Sequence, residues 1–325
     1  MSKVRFLFFL IPLFLFSCKQ EDSIALKNTS GKINTISIII DDQLWNGEVG
    51  DSIRNKFAAP VIGLPQEEPL FTINQYPVKL MEGFMTDSRN IILIKKDTEN
   101  HFQIKENRYA KPQNVFCISG KSTTAILELI ENKTSQIIQT IRDSEIKESQ
   151  TLNRKTLLDT KKLTEKFQIS MAVPSDYQYV VQEPKFIWLK KEIISGNTSI
   201  LIYEVPLKSL QNANNLVGNI IKKRDSIGSL YIHGKEPNTD MITEEAYSPY
   251  FFQIKLDGKL TYEMKGTWVL KNDFMSGPFI NYSIMDPDNN RALIIEGFCY
   301  SPSKEKRDLM HELEAIIKSV AVIKR

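Results

Sequence analysis

Four strand-length segments follow one another near the C-terminus of this chain, at 241–255, 259–271, 278–286 and 291–300. No other feature constrains the fold as strongly. Asp257-Gly258 is a hairpin signal, because tight turns that match strand twist favour residues able to take positive φ. The run Asp286-Pro287-Asp288-Asn289-Asn290 is a longer turn, built from residues that preset φ or bond to nearby backbone. Strands joined this closely pair antiparallel, since parallel pairing needs a long crossover.

The pattern extends upstream. Strands are predicted at 178–181, 185–192 and 198–205, with a helix at 210–229 that turns Leu216, Ile220, Ile221 and Ile227 inward. A closing helix at 303–320 carries Leu309, Leu313, Ile316, Ile317 and Val320 on one face. In the first half, the β-branched run 33–41 reads as a buried strand. A helix is predicted over 45–58, with Trp45, Val49, Ile53 and Phe57 on one face and Pro60 ending it. A turn-rich loop, 59–69, precedes strands at 70–76, 89–96, 101–108 and 113–119. A helical pattern then runs from 123 to 167, striped by Ile126, Leu129, Ile130, Ile137, Ile138 and Ile141. Its polar middle, 142–156, fits either an exposed continuous helix or a break between two helices.

The first eighteen residues set the chain's address. Lys3 and Arg5 precede an apolar run, Phe6 to Phe16, which ends at Leu15-Phe16-Ser17-Cys18. A membrane-spanning helix needs about 20 apolar residues, and this run is a signal-sized core interrupted by Pro12. The pattern resembles a bacterial lipoprotein signal, which is cut before a cysteine that then carries lipid. The alternative is an ordinary secretory signal with Cys18 incidental to the cut. Under the lipoprotein reading residues 1–17 are removed, Cys18 is lipidated and 18–32 form a flexible tether. Lys19 directly after the cysteine favours the outer membrane, facing either the periplasm or the outside.

Removing 17 of 325 residues leaves a chain longer than one core usually serves. The expected architecture is α+β in two domains, 33–164 and 165–325, each a mainly antiparallel sheet with packed helices. Without Lys3 and Arg5, the 42 basic residues fall to 40 against 39 acidic ones, which argues against nucleic acid as a partner. Cys117 and Cys299 sit in apolar strands of different halves and read as buried thiols rather than a disulfide.

The order of landmarks resembles a known family. Trp45–Arg54, Gly63–Phe71 and Arg89–Ile92 mark its first half. Phe186-Ile-Trp-Leu189, Lys223-Arg-Asp225, Gly266-Thr-Trp268, Phe274-Met-Ser-Gly-Pro-Phe279 and Glu296-Gly-Phe-Cys-Tyr300 mark its second. The family is a set of Bacteroidota lipoproteins known only as domain of unknown function 4837. The resemblance implies a location and an architecture, and no activity. Residues 165–325 also resemble the Mog1 and PsbP-like α/β sandwich, whose members are binding and assembly modules.

Catalytic motifs fail at identifiable positions. Gly120-Lys121-Ser122 lies between strand and helix, but a phosphate loop needs glycine where Val115 stands. His311-Glu312 lies on the last helix, but a zinc protease needs histidine where Ala315 stands. No G-x-S-x-G elbow occurs, and no Cys or His spacing suits a metal. Neither a catalytic residue, a metal site nor a cofactor is therefore assigned. The candidates for ligand or partner contact are Trp45, Arg54, Trp188, Arg224 and Trp268. Aromatic and arginine side chains are apt for recognition, although strand tryptophans more often serve the core. Glu263 and the 274–279 segment are weaker candidates.

The reading is a non-enzymatic binding or assembly module, held to the envelope membrane by lipid and contacting an envelope protein or a small molecule. One alternative is a carboxylate-dependent envelope hydrolase using Asp41, Asp42 or Glu296. Another is a small-ligand binder using an apolar cleft between the halves. Cys18→Ala tests the anchor. The variant is expected to leave the membrane fraction, and its retention there would contradict lipid attachment.

Overall fold

The computed structural model describes residues 26–80, 82–210 and 215–323. Cys18, the 1–17 segment and residues 18–25 of the expected tether lie outside the described residues. Among the described residues no helix is long and apolar enough to cross a membrane.

The first half contains β1 (Lys27–Asn28), β2 (Thr35–Ile40), α1 (Asp42–Trp45), α2 (Glu48–Phe57), β3 (Thr72–Tyr76), β4 (Asn90–Lys96), β5 (His101–Glu106), β6 (Ala110–Lys111), β7 (Asn114–Gly120) and α3 (Thr123–Asn153). Its sheet runs β3-β2-β4-β7-β5. The α+β class holds, but the expected antiparallel pairing of this sheet does not. β3, β2, β4 and β7 are parallel, and β5 alone pairs antiparallel. The central strands are buried on both faces, so they read as continuous apolar runs that carry no directional signal. Ile36, Ile38 and Ile40 face α2 and α3, while Ile39 joins Ile91 and Val115 on the other side.

Two local expectations change, and one open alternative is resolved. The 45–58 helix is two pieces, because the chain turns at Asn46-Gly47 and seats Gly50 against the Trp45 carbonyl, where a Cβ would collide. Residues 27–28 of the expected tether form a strand with 110–111, reinforced by a Lys27–Asp87 ion pair. The polar stretch after Ile141 continues α3 as far as Asn153. Its buried stripe runs Ile126, Ile130, Ile137, Ile141 and then Glu145 and Ser149. Beyond Asn153 the chain leaves the helix to bond with 173–175, through Leu158 N–H to Val173 O at 2.9 Å and Ser175 N–H to Thr156 O at 3.0 Å.

The second half contains α4 (Lys161–Phe167), β8 (Ile169–Ser170), β9 (Gln178–Glu183), β10 (Phe186–Ile193), β11 (Gly196–Pro206), α5 (Leu216–Tyr231), β12 (Met241–Thr243), β13 (Tyr250–Leu256), β14 (Lys259–Leu270), β15 (Ser276–Asp286), β16 (Arg291–Tyr300), α6 (Arg307–Ile317) and β17 (Ala321–Val322). Here the antiparallel expectation holds throughout an eight-stranded sheet, ordered β12-β14-β15-β16-β11-β10-β9 with β13 also on β14. The predicted 241–255 strand is divided into β12 and β13, both paired to β14. Pro249 lies in the gap and has no N–H to offer a ladder. One face of the sheet packs Leu201, Tyr203, Trp268, Ile294 and Phe298 beneath α5. The other packs Ile200, Ile202, Tyr282, Ile284 and Ile295 against Leu313, Ile316 and Ile317 of α6.

Both thiols are free. Cys299 is buried and Cys117 half-buried, on separate sheets. Burial pushes the Cys299 thiol up to about 12.

The halves meet where α3 crosses α6, and the seam is polar. Glu68, from the 59–69 loop, accepts from Lys306 N–H and Arg307 N–H, each at 2.7 Å. α6 has no side-chain cap of its own, so a carboxylate from the other half satisfies its first amides. Arg307 Nη1 donates to Pro69 O at 3.0 Å and Asn34 Nδ2 to Asp308 Oδ1 at 3.0 Å. Farther along, Ser149 Oγ meets His311 Nε2 at 3.1 Å and Gln150 Nε2 donates to Ala315 O at 3.1 Å.

Candidate functional site

Where the seam is not filled it leaves a cavity of about 230 Å³. Val61, Ile62, Leu64 and Leu70 form one wall, from the loop that carries Glu68. Phe279 and Ile280 of β15 and Met310 of α6 form the opposite wall. The loop is held close to the sheet. Gly63, at φ +81°, passes over β14 so tightly that a Cβ would stand 2.9 Å from Lys265 Cβ. Glycine is required there by the backbone angle and by the contact alike.

The polar end of the cavity centres on Glu314. Its carboxylate meets Lys318 at 2.5 Å, Arg142 at 3.4 Å and Lys265 at 3.5 Å. Burial alone would raise this carboxyl, but Lys265, Lys318 and Arg142 together hold it far below the ordinary carboxylate range. Lys265 also meets Glu263 at 3.1 Å, and the Tyr282 hydroxyl donates to Glu263 at 2.7 Å. Burial pushes the His311 imidazole below its usual 6.5, against the pull of Glu314 and Glu145, so the ring is neutral at pH 7. Among the described residues Glu314 is the one acidic ion-pair partner of Arg142, whose side chain remains 39% exposed. Its guanidinium therefore has donors to offer an incoming acceptor.

A second polar cluster lies under α5. Arg224, 1% exposed, stacks on Phe279 at 3.9 Å and donates to Thr243 Oγ1 at 3.0 Å. Its Nη2 stands 3.0 Å from Glu296 Oε1, without hydrogen-bond alignment. Asn281 Nδ2 donates to the other Glu296 oxygen at 2.9 Å. Burial raises the Glu296 carboxyl against the opposing pull of Arg224. The cluster is closed over by side chains from both sheet and helix.

The five main residues predicted from sequence fall into two groups and neither lines the seam cavity, whereas Phe279 of the weaker 274–279 candidate does. Trp45 and Arg54 stack on each other at 4.4 Å at the α1–α2 corner. Arg224, Trp188 and Trp268 lie on the α5 face of the large sheet. Trp268 is 2% exposed, donates to Cys299 O at 3.2 Å and packs edge-on to Phe298, so it serves the core. Trp188 is half-buried against the same cluster. Glu263 stands behind the seam, bonded to Lys265 and Tyr282. The three acids of the hydrolase alternative do not converge. Asp41 and Asp42 are exposed at the end of β2, whereas Glu296 is buried in the other half. No group of three or more potential metal ligands gathers among the described residues.

Sequence reasoning missed Arg142, Lys265, Met310 and Glu314. A signal existed in β14, where Thr261, Glu263, Lys265 and Thr267 alternate with Tyr262, Met264, Gly266 and Trp268. A charged stripe on one face of a long strand means that face meets something polar.

Residues 156–319 match the family described as Domain of unknown function (DUF4837). Residues 29–154 match a second family, described as Domain of unknown function (DUF8532). No curated protein matches the chain. Among solved structures it is similar to LpqN, described as involved in cell envelope biogenesis of Mycobacterium tuberculosis, at 14% identity over 48% of this chain and 83% of that one, with a TM-score of 0.30. It is also similar to the cyanobacterial PsbP of Synechocystis sp. PCC 6803, at 12% identity over 50% and 89%, TM-score 0.32. Human StAR-related lipid transfer protein 5 overlaps at 10% identity over 54% and 98%, TM-score 0.23. At these scores no property of those proteins transfers to this chain.

The seam electrostatics set a pH dependence. The folded Glu314 carboxyl lies below its unfolded value of 4.5, so its contribution is complete above that value and lost as pH falls beneath it. The depressed His311 acts in the same direction from pH 6.5 downward, because the unfolded ring takes a proton first. Urea midpoints of the wild type are therefore expected to fall from pH 6.5 and more steeply below 4.5. Glu314→Gln is expected to be less stable at pH 7, with the gap closing in acid. A gap that stays constant from pH 7 to pH 3 would contradict this assignment.

Proposed function

We propose that this chain, which belongs to the DUF4837 family, is an envelope binding module, tethered through a lipid on Cys18, that takes a small amphiphilic ligand into the seam cavity. The observation that carries this reading is the cavity itself. It is preformed, walled by Val61, Ile62, Leu70, Phe279 and Met310, and has Arg142 and Lys265 at one end. Ligand sites commonly combine an apolar wall with a few convergent polar groups. An apolar body fits the wall, and an acidic head fits Arg142, which can offer paired donors.

The sites argued from sequence support binding over turnover. Asp41 and Asp42 are solvated, and Glu296 is held by Arg224 and Asn281 inside a closed core. A tethered binder needs no nucleophile. It needs a site that persists between encounters, and the hydrogen bonds that Glu68 accepts from the α6 amides hold the loop wall in place.

Anilinonaphthalene sulfonate tests the reading, having an aromatic body and one anionic head. The native protein is expected to bind it saturably, with enhanced and blue-shifted emission. Met310→Trp, which fills the cavity, is expected to abolish that signal, and Arg142→Ala to weaken it by about tenfold, the worth of one charge-assisted bond. Equal emission from Met310→Trp and the wild type would remove the cavity as the site.

A further inference from the structure

Two large apolar side chains stand almost wholly in solvent at one end of the second sheet. Phe274, in the β14–β15 turn, is 105% exposed, and Ile194, in the β10–β11 turn, is 98% exposed. The ladder registers place both turns at the same edge. Ser276 pairs with Val269, Tyr300 with Asn197, and Gly196 with Ile193. The two tips therefore project from one end of the sheet, about 14 Å apart at ordinary strand spacing.

Neither tip is loose. Leu270 N–H bonds to Met275 O at 2.8 Å, Asn272 Nδ2 to Asn238 O at 2.9 Å, and the Asp273 carboxylate accepts from Phe274 N–H at 2.6 Å. At the other turn Ser195 Oγ meets Ser301 Oγ at 3.0 Å. Single exposed apolar residues are ordinary on protein surfaces. Two that are fully exposed, at one edge and each on a pinned turn, form a pair of fixed wedges. The charges beside them are of both signs: Lys190 pairs with Glu192, Lys191 with Asp176 and Glu312, and Lys271 and Lys304 stand against Asp273 and Glu305.

The way the chain enters the fold points the same way. Ser30 bridges to Ser88, Lys32 O accepts from Arg89, and Asn34 donates to Asp308 in the first turn of α6. α6 begins seven residues after the Tyr300 end of β16, so its bond to Asp308 holds Asn34 near the end of the sheet that carries the wedges. Eight peptide steps separate Cys18 from Leu26, a reach of at most about 29 Å. Under the tethered reading, that reach bounds how far the fold stands from the bilayer.

We infer that the edge bearing Ile194 and Phe274 is a lipid-docking surface, where the two side chains enter the interfacial region of a bilayer. The tethered reading supplies only the geometry of approach, and the contact exists without the lipid. Because the edge is balanced in charge, binding needs no anionic lipid and resists salt.

The test uses the chain from residue 18 onward with Cys18→Ser, so that no acyl group contributes. Flotation with phosphatidylcholine–phosphatidylethanolamine vesicles is expected to carry the protein, equally with and without added salt. The double variant Ile194→Ser/Phe274→Ser is expected to lose about tenfold or more in partitioning, and Phe274→Ser alone to lose less. Leu230→Ser, which removes an exposed apolar side chain from α5, is expected to float like the parent. Failure of the parent chain to float, or undiminished flotation of the double variant, overturns the proposal and leaves the wedges to a protein partner. Either result leaves the Cys18 anchor standing, since that is tested by Cys18→Ala in cells.

Discussion

The Glu68 carboxylate at the first turn of α6 is the interaction on which the rest of this structure depends. α6 opens with Lys306 and Arg307, cations at the positive end of the helix dipole that Asp308 in the same turn offsets only in part. Its first amides have no local acceptor. Glu68 corrects both defects from the other half of the chain, with two charge-assisted bonds of 2.7 Å. Because α6 also supplies Leu313, Ile316 and Ile317 to the second core, a contact from the first half secures an element of the second.

The cavity follows from the same contact. The loop that presents Glu68 also presents Val61, Ile62 and Leu64, so capping the helix and walling the cavity are one act of folding. Gly63 lets that loop lie against β14, and Lys265 beneath it turns toward Glu314 on α6. Arg142 reaches the same carboxylate from α3. Side chains from α3, β14 and α6 itself thus converge on one buried acid, which the surrounding cations keep ionised.

How much of this was legible depended on where each residue finds its partner. The antiparallel second sheet could be read because its information is local, in Asp257-Gly258 and in strands of the right length. The parallel first sheet could not, because Ile36–Ile40 and Ile91–Ile94 are apolar on both faces and say nothing of direction. The polar middle of α3 was ambiguous for a third reason. Glu145 and Ser149 continue the buried stripe of Ile137 and Ile141, but their partners Arg89, Asn90 and His311 are remote in sequence. The site was less legible than the fold. Tryptophans drew attention to the α5 face, where Trp268 proved to be core, while Lys265 and Glu314 resembled ordinary surface charges until the halves were brought together.

The central claim is that one carboxylate couples the two halves, and equilibrium unfolding of Glu68→Ala measures it most directly. The account predicts a loss of about 2–3 kcal/mol, from two amides left without acceptors and an uncompensated helix terminus. Glu67→Ala, at the exposed neighbouring position, is predicted to leave stability unchanged. A Glu68→Ala protein with the wild-type urea midpoint and slope would contradict the account.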